Sequence, residues 1–190
     1  MSSTESARFV PHTESTAPPA SAELLAGQKK HFGFVASPLS RMAESPRMLA
    51  SVLRSLAEFE ESSLGPAERE VLAFVVGRSS GCEYCMALHT ALAARVPEVK
   101  PHVPRLRDGA RPEDARLGPF FDFVKTVLGT RGAPTDAAWN AFLAAGYTRE
   151  NALDVVMGIA TYTLTTYGNR LVQAPLDAPF EPFRWTPPPG

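Results

Sequence analysis

Cysteine is scarce in this sequence: the chain of 190 residues contains only two, Cys82 and Cys85. A small secreted protein held together by disulfides would carry more cysteines, spread along the chain. Two cysteines this close together indicate redox chemistry or metal binding instead. The cysteine usage therefore argues against a disulfide scaffold.

Long apolar segments and an excess of positive charge are also missing. No apolar run approaches the roughly 20 residues that a helix needs to cross a bilayer. The N-terminus is polar, is rich in serine, threonine and proline, and lacks the apolar centre of a secretory signal. The formal net charge is −1, which gives the chain little attraction for a phosphate backbone. We therefore expect a cytoplasmic protein that binds neither membranes nor nucleic acids.

What is present is the composition of one globular domain. Apolar residues make up 44% of the chain and charged residues 21%, as is ordinary for such proteins. A chain of this length can bury one hydrophobic core. We interpret residues 1–22 as a disordered leader, residues 23–172 as the folded domain and residues 173–190 as an extended tail rich in proline. Phe180, Phe183 and Trp185 could pin this tail to the domain.

Apolar residues recur at helical spacing in the central part of the chain, and capping residues mark the helix ends. The predicted helices cover 46–64, 66–80, 82–96, 112–128 with an interruption at Gly118-Pro119, 135–145, and a last helix capped by Thr148. Residues 97–112 are predicted to be a loop. The last helix should bury Val155, Val156, Ile159, Ala160, Thr163, Leu164 and Tyr167. No strand-like alternation is visible, so the predicted class is all-α.

The two cysteines lie one helical turn apart at the start of the third predicted helix. This spacing puts their Cα atoms roughly 5 Å apart, which is inside the range that a disulfide accepts. A cysteine in the first turn faces unpaired backbone N–H groups and the positive end of the helix dipole, which favour the thiolate, and Cys82 benefits most. Such a thiolate can attack a peroxide to give a sulfenic acid, which a neighbouring thiol converts to a disulfide.

Two further ionisable residues are placed to move protons. His89 lies on the same helix face as both cysteines, and because helical side chains lean toward the N-terminus it can reach back toward Cys85. Glu70 lies on an apolar stripe of the preceding helix, where a carboxylate is costly unless it is paired. If the two helices form an antiparallel hairpin through Gly81, Glu70 approaches His89. The four side chains then form a proton relay beside a dithiol.

Other interpretations of these residues stay open. A structural zinc site could use both cysteines and His89, with a fourth ligand from Glu70 or from another chain. However, three ligands on one helix are too widely spaced for a compact tetrahedron with bonds of about 2.0–2.3 Å. The pair could also belong to a non-catalytic, redox-responsive helical module or to a general disulfide reductase. The order of attack is open as well, because the dipole favours Cys82 and proximity to His89 favours Cys85. Asn169 is interpreted as a polar core contact.

The pattern Glu70-x11-Cys82-x-x-Cys85-x3-His89 resembles the AhpD-like alkylhydroperoxidases of the carboxymuconolactone decarboxylase superfamily. The resemblance covers roughly residues 30–172. Further similar segments are Leu64-Gly-Pro-Ala-Glu-Arg-Glu70, Gly81-Cys-Glu-Tyr-Cys85, Ala145-Gly146-Tyr147 and Asn169-Arg170. Gly33-Phe34-Val35 and Pro46 fit the peroxidase-related subgroup.

The resemblance implies an AhpD-like helical bundle that forms homo-oligomers. We predict neither a cofactor nor a bound metal ion. It implies thiol-dependent reduction of alkyl hydroperoxides by Cys82 and Cys85, with a proton relay through Glu70 and His89 and a dithiol or protein reductant as electron donor. Some members carry a second histidine between the cysteines, where this chain has Tyr84. Lactone decarboxylases of the superfamily lack the cysteine pair, so its presence argues against that activity.

Overall fold

The computed structural model describes residues 8–188, and every regular element in this range is helical. This confirms the all-α class. The α-helices are α1 (Pro19–Phe32), α2 (Ser37–Met42), α3 (Pro46–Glu60), α4 (Pro66–Ser79), α5 (Glu83–Ala93), α6 (Val103–Asp108), α7 (Leu117–Thr130), α8 (Asp136–Ala144) and α9 (Arg149–Leu171); Lys100–His102 and Ala178–Phe183 form 3-10 helices. None of the helices within residues 8–188 is both long enough and apolar enough to span a membrane.

The helices α3, α4 and α5 follow the capping signals of the sequence. The Ser45 side chain accepts a hydrogen bond from the Met48 N–H at the start of α3, and Pro66 occupies the first turn of α4. Gly81, with φ of +60°, makes the turn that reverses the chain after α4. Cys82 is the N-cap of α5. The helix α5 ends at Ala93 rather than at the predicted Val96, because a residue that precedes proline disfavours the helical conformation.

The helix α4 forms the centre of the fold. Six consecutive residues, Val71–Val76, are buried on all of its faces, and α5, α7 and α9 pack around it. The crossing of α9 over α3 and α4 depends on Gly158, because a Cβ atom there would lie 2.5 Å from the Phe59 ring and 2.8 Å from Leu72. The close crossing brings α9 to the hairpin of α4 and α5.

Two predictions around the prolines of the central segment are wrong. Residues 97–112 are not a loop, since they contain a 3-10 helix and α6, with Pro101 and Pro104 in their respective first turns. Proline fits there because no intrahelical N–H donor is needed. The helix α7 is not interrupted at Gly118-Pro119, because both residues lie in its own first turn.

Both terminal segments differ from the predictions. Residues 1–7 of the expected leader lie outside the described residues, but within 8–22 the His12 N–H bonds to the Ser40 carbonyl and α1 begins at Pro19. Leu25 of α1 is fully buried. The tail is not simply extended, since it contains a 3-10 helix and buries Trp185. Local composition does not reveal these segments because distant parts of the chain fix them.

The exposed face of α9 also differs from the prediction. Val155 is fully buried as expected, whereas Val156 is 50% exposed and Tyr167 63% exposed. Leu153 and Leu171 are exposed as well. Because α9 carries apolar and small residues around its whole circumference, the spacing alone did not select the buried face.

Candidate dithiol site

Cys82 and Cys85 face each other at the start of α5, and both are free thiols. Their sulfur atoms lie 3.1 Å apart, about 1 Å more than a disulfide bond requires. The Cys85 backbone N–H donates to the Cys82 sulfur at 3.4 Å, as an N-cap acceptor allows. Cys82 is 1% exposed and Cys85 3%. The two sulfurs can therefore form a bond with a small movement while solvent is kept away.

The two thiols ionise differently. The pKa of Cys82 is lowered to about 7, mainly by its hydrogen bond with Cys85 and further by the Cys85 backbone N–H, by Asn169 and by the charge of His89, although burial opposes this. The same thiol–thiol hydrogen bond and burial raise the pKa of Cys85. The pair therefore releases its first proton near neutral pH and holds the resulting charge on Cys82.

Asn169 of α9 contacts both sulfur atoms. Its side-chain amide donates to the Cys85 sulfur at 3.2 Å and to the Cys82 sulfur at 3.9 Å, and the residue is 8% exposed. A buried amide donor stabilises negative charge on whichever sulfur carries it. Asn169 was predicted to be a polar core contact, and its contact with the sulfurs was not predicted. The signal in the sequence was its place in the segment Asn169-Arg170, which resembles the superfamily.

Glu70 and His89 pair across the α4–α5 hairpin, as expected from the turn at Gly81. His89 Nδ1 lies 3.0 Å from the Glu70 carboxylate. With the proton on Nδ1, His89 donates to Glu70 and keeps Nε2 available as a base. The His89 ring is 6% exposed and packs edge-on against Tyr162, with ring centroids 5.1 Å apart.

A cavity of about 190 Å³ opens beside Cys85. Its polar lining includes Cys85, His89 and Asn169, and its aromatic lining consists of Phe34, Tyr84, Tyr162 and Phe180. Cys82 is not part of the lining. A small apolar molecule in this cavity would meet the sulfur of Cys85 and the imidazole of His89 together.

Tyr84, between the two cysteines, is fixed by the C-terminal segment. Its hydroxyl donates to the Asp177 carboxylate at 2.6 Å, which also accepts from the Ser37 N–H at 3.0 Å and from the Ser37 hydroxyl at 2.5 Å. Burial and the Asp177 charge raise the pKa of Tyr84. Tyr84 therefore stays a neutral hydrogen-bond donor and does not supply the base that a histidine would.

The structure brings all four predicted site residues, Glu70, Cys82, Cys85 and His89, to the N-terminal half of α5 and its contact with α4. Their catalytic roles remain predictions. Within the described range, residues 8–188, no group of three or more His, Cys, Asp or Glu side chains has an arrangement that could hold a metal ion. Asp177 has no local signal in the sequence because it lies more than 90 residues beyond Cys82, in a proline-rich segment. Phe180 was predicted only to pin the tail, and its place in the cavity wall was not.

Residues 43–113 match the model of the carboxymuconolactone decarboxylase family. No curated protein sequence matches the chain. Among solved structures, a peroxidase-related protein from Ralstonia eutropha JMP134 with an alkylhydroperoxidase AhpD core is similar at a TM-score of 0.77 and 20% identity, over 91% of this chain and 93% of that chain.

Two more solved structures are similar over nearly the whole chain. A peroxidase-related protein from Silicibacter sp. TM1040 has a TM-score of 0.76 and 18% identity, over 95% of this chain and 97% of that chain. The debrominase Bmp8 has a TM-score of 0.73 and 14% identity, over 92% and 95%. A variant of that debrominase is known in complex with 2,3,4-tribromopyrrole. At these identities the similarity establishes the fold.

Proposed function

We propose that the chain belongs to the AhpD-like branch of the carboxymuconolactone decarboxylase superfamily and that it is a thiol-dependent peroxidase, which reduces small alkyl hydroperoxides through Cys82 and Cys85. The family match of residues 43–113 and the folds shared with two peroxidase-related proteins support this assignment. One observation carries the proposal: Cys85 lies on the wall of an apolar cavity beside His89, with a second sulfur 3.1 Å away. Such a site can receive an organic peroxide, accept an oxygen atom and close a disulfide.

In the proposed cycle, the Cys85 thiolate attacks the terminal oxygen of the hydroperoxide and the O–O bond breaks. The products are a sulfenic acid on Cys85 and an alcohol. The Cys82 sulfur then attacks the Cys85 sulfur, the S–S bond forms and water leaves. The two thiol protons end in the alcohol and the water. A dithiol reductant supplies two electrons and two protons and restores both thiols.

The position of the cavity at Cys85 supports this order, and the charge must then move from Cys82 to Cys85. The resting charge is on Cys82 and the cavity lies at Cys85, so a proton must leave Cys85 before it attacks. The Cys82 thiolate is the nearest acceptor, 3.1 Å away. When the charge reaches Cys85, the Asn169 amide at 3.2 Å stabilises it. His89, oriented by Glu70, accepts at Nε2 the proton that the dithiol releases when Cys82 ionises, and it returns this proton to the departing alkoxide.

Hydroperoxide consumption with excess dithiothreitol tests the proposal. Wild type should turn over, and Cys82→Ser and Cys85→Ser should both lose turnover while circular dichroism shows an unchanged helical fold. Dimedone should trap a sulfenic acid on Cys85 in Cys82→Ser and none in Cys85→Ser. Full turnover in either variant contradicts the dithiol cycle. Trapping in Cys85→Ser alone reverses the order of the cysteines. A disulfide that forms without turnover favours the redox-responsive module.

A second candidate is reductive dehalogenation of a small aromatic ring. The aromatic lining of the cavity, formed by Phe34, Tyr84, Tyr162 and Phe180, favours it. The two thiols would supply two electrons, replacing a carbon–halogen bond by carbon–hydrogen and releasing halide as the disulfide forms. Bromide release from 2,3,4-tribromopyrrole, the compound bound to the debrominase variant, measures this activity directly. Bromide release without hydroperoxide turnover would favour this candidate over the first.

We also propose that copies of this chain associate with one another, as expected from the resemblance. The location that we propose is a reducing compartment such as the cytoplasm. The exposed apolar side chains of α9, Leu153, Val156, Tyr167 and Leu171, support self-association. Light scattering after size-exclusion chromatography tests it. A monomer at micromolar concentration, with no change in the Leu153→Glu variant, contradicts it.

A further inference from the structure

We propose that the C-terminal segment 174–185 is part of the site and selects substrates by size, admitting single-ring or short branched hydroperoxides and excluding long ones. This inference rests on the proposed function. It goes beyond the proposed function because it assigns substrate specificity to a segment that the sequence predicts only as an extended tail.

The segment lies directly over the dithiol. After α9 the chain turns back at Gln173, which has φ of +50°, and the Ala174 N–H bonds to the Asn169 carbonyl. Ala174, Leu176 and Phe180 then pack against the buried cluster of Cys82, Tyr84 and Cys85. The 1% and 3% exposure of the two cysteines therefore depends on a segment outside the central helices.

The segment is anchored on both sides of Phe180. On one side the Asp177 carboxylate accepts hydrogen bonds from Tyr84 and Ser37. On the other side the Arg107 guanidinium donates to the carbonyls of Phe183 and Arg184 at 3.0 and 2.9 Å, and the Trp185 indole donates to the Arg107 carbonyl at 3.2 Å. A segment tied at two points holds Phe180 in a fixed position.

Phe180 forms one wall of the cavity together with two other aromatic rings. It packs edge-on against Tyr84, with centroids 5.9 Å apart, and tilted against Phe34 at 6.4 Å. The three rings come from the α1–α2 connection, from α5 and from the C-terminal segment. Truncating Phe180 would remove one wall of the cavity while the sulfurs, His89 and Asn169 stay in place.

The volume of the cavity sets the size limit. An apolar cavity of about 150 Å³ accommodates one benzene ring, so a cavity of about 190 Å³ accommodates one ring with a few further atoms. Tert-butyl and cumene hydroperoxide meet this limit. A hydroperoxide of linoleic acid exceeds this volume, so its chain would have to extend past Phe180 or displace it.

Phe180→Ala and the milder Phe180→Leu test the selection, with Glu181→Ala as control because Glu181 lies on the same 3-10 helix with an exposed side chain. The first readout is kcat/KM for tert-butyl and linoleic acid hydroperoxides. Phe180→Ala should raise the ratio of the linoleic value to the tert-butyl value by about tenfold. Phe180→Leu, which keeps an apolar side chain, should give a smaller change of the same sign.

The second readout does not depend on turnover. The rates at which iodoacetamide and a pyrene maleimide label Cys85 are compared by mass spectrometry. The ratio of bulky to small labelling should rise about tenfold in Phe180→Ala and stay constant in Glu181→Ala. A constant ratio in both Phe180 variants, or an equal rise in Glu181→Ala, overturns the selection. Wild type without hydroperoxide turnover, combined with the expected labelling ratio, would refute the peroxidase and leave the size-selective cover standing.

Discussion

Replacing Cys85 with alanine removes the hydrogen bond that is the largest factor lowering the pKa of Cys82 to about 7. A hydrogen bond to a charged group contributes about 1.5–3 kcal/mol, and one pH unit corresponds to about 1.4 kcal/mol. The midpoint for Cys82 should therefore rise by about 1 to 2 pH units in Cys85→Ala. The Cys85 backbone N–H and Asn169 still lower the pKa of Cys82, and burial still raises it.

The ultraviolet absorbance of the thiolate, followed against pH, measures this midpoint without a reagent that must enter the site. A thiol ionises as pH rises through its pKa, so wild-type absorbance should increase around pH 7. At pH 7, about half of Cys82 is thiolate in the wild type and about 1–10% in the variant. The double variant Cys82→Ala/Cys85→Ala supplies the baseline. Burial raises the pKa of Tyr84 and Tyr162, so these phenols do not contribute near neutral pH.

A midpoint that stays near 7 in Cys85→Ala would refute the assignment of the low pKa to the neighbouring thiol. The reciprocal variant, Cys82→Ala, tests the pKa of Cys85 in the same way. In Cys82→Ala, burial remains as a cause that raises the pKa of Cys85, so its thiolate should form above the ordinary value of 9.0. Ionisation of Cys85 near pH 7 in that variant would assign the reactive charge to the other sulfur.

Substitutions at three further residues, Glu70, Asn169 and Gly158, test other parts of the structure. Glu70→Gln should lower kcat/KM for hydroperoxide by about 10- to 100-fold, because the neutral amide no longer stabilises the protonated His89 that gives its proton to the alkoxide, and Glu70→Asp should restore part of the loss. Equal activity of Glu70→Gln and wild type in steady-state assays would contradict the relay. Asn169→Leu removes the donor to Cys85 at similar volume and should slow single-turnover oxidation by about tenfold or more, whereas an unchanged rate would limit Asn169 to packing. Gly158→Ala should lower the free energy of unfolding by about 1–3 kcal/mol in denaturant titrations, because the rigid Phe59 ring occupies the space. Gly129→Ala in α7, with nothing within 4 Å, should be neutral or stabilising by up to about 1 kcal/mol, and equal effects at the two glycines would contradict the close crossing.

The central hairpin was predictable because its signals are local. Ser45, Pro66 and Gly81 act on the backbone within a few residues, so helix starts and the reversal at Gly81 follow from the sequence. The approach of Glu70 to His89 follows from that reversal. The contact of Asn169 with the sulfurs does not, because it depends on how α9 crosses α4, which is set by the fit of Gly158 against Phe59 and Leu72.

The terminal segments were not predictable for a related reason. Their polar and proline-rich composition resembles that of unstructured chain, and the contacts that order them join residues far apart in sequence. Asp177 bonds to Tyr84 and Ser37, and no local pattern marks such a partnership. Residues 97–112 were predicted to be a loop because they contain several prolines. In the structure Pro101 and Pro104 occupy the first turns of helices, where proline is favourable.

The burial of both sulfurs distinguishes the interpretations that the motif alone left open. A general disulfide reductase must let a protein disulfide approach its attacking sulfur in line, and this requires an exposed thiolate. Here Cys82, which holds the charge, is 1% exposed, and Cys85 meets only a cavity of about 190 Å³. A small oxidant can reach Cys85 in this arrangement, whereas a folded protein cannot. The geometry therefore favours oxidation by a small molecule, with reduction by a dithiol narrow enough to enter the same cavity.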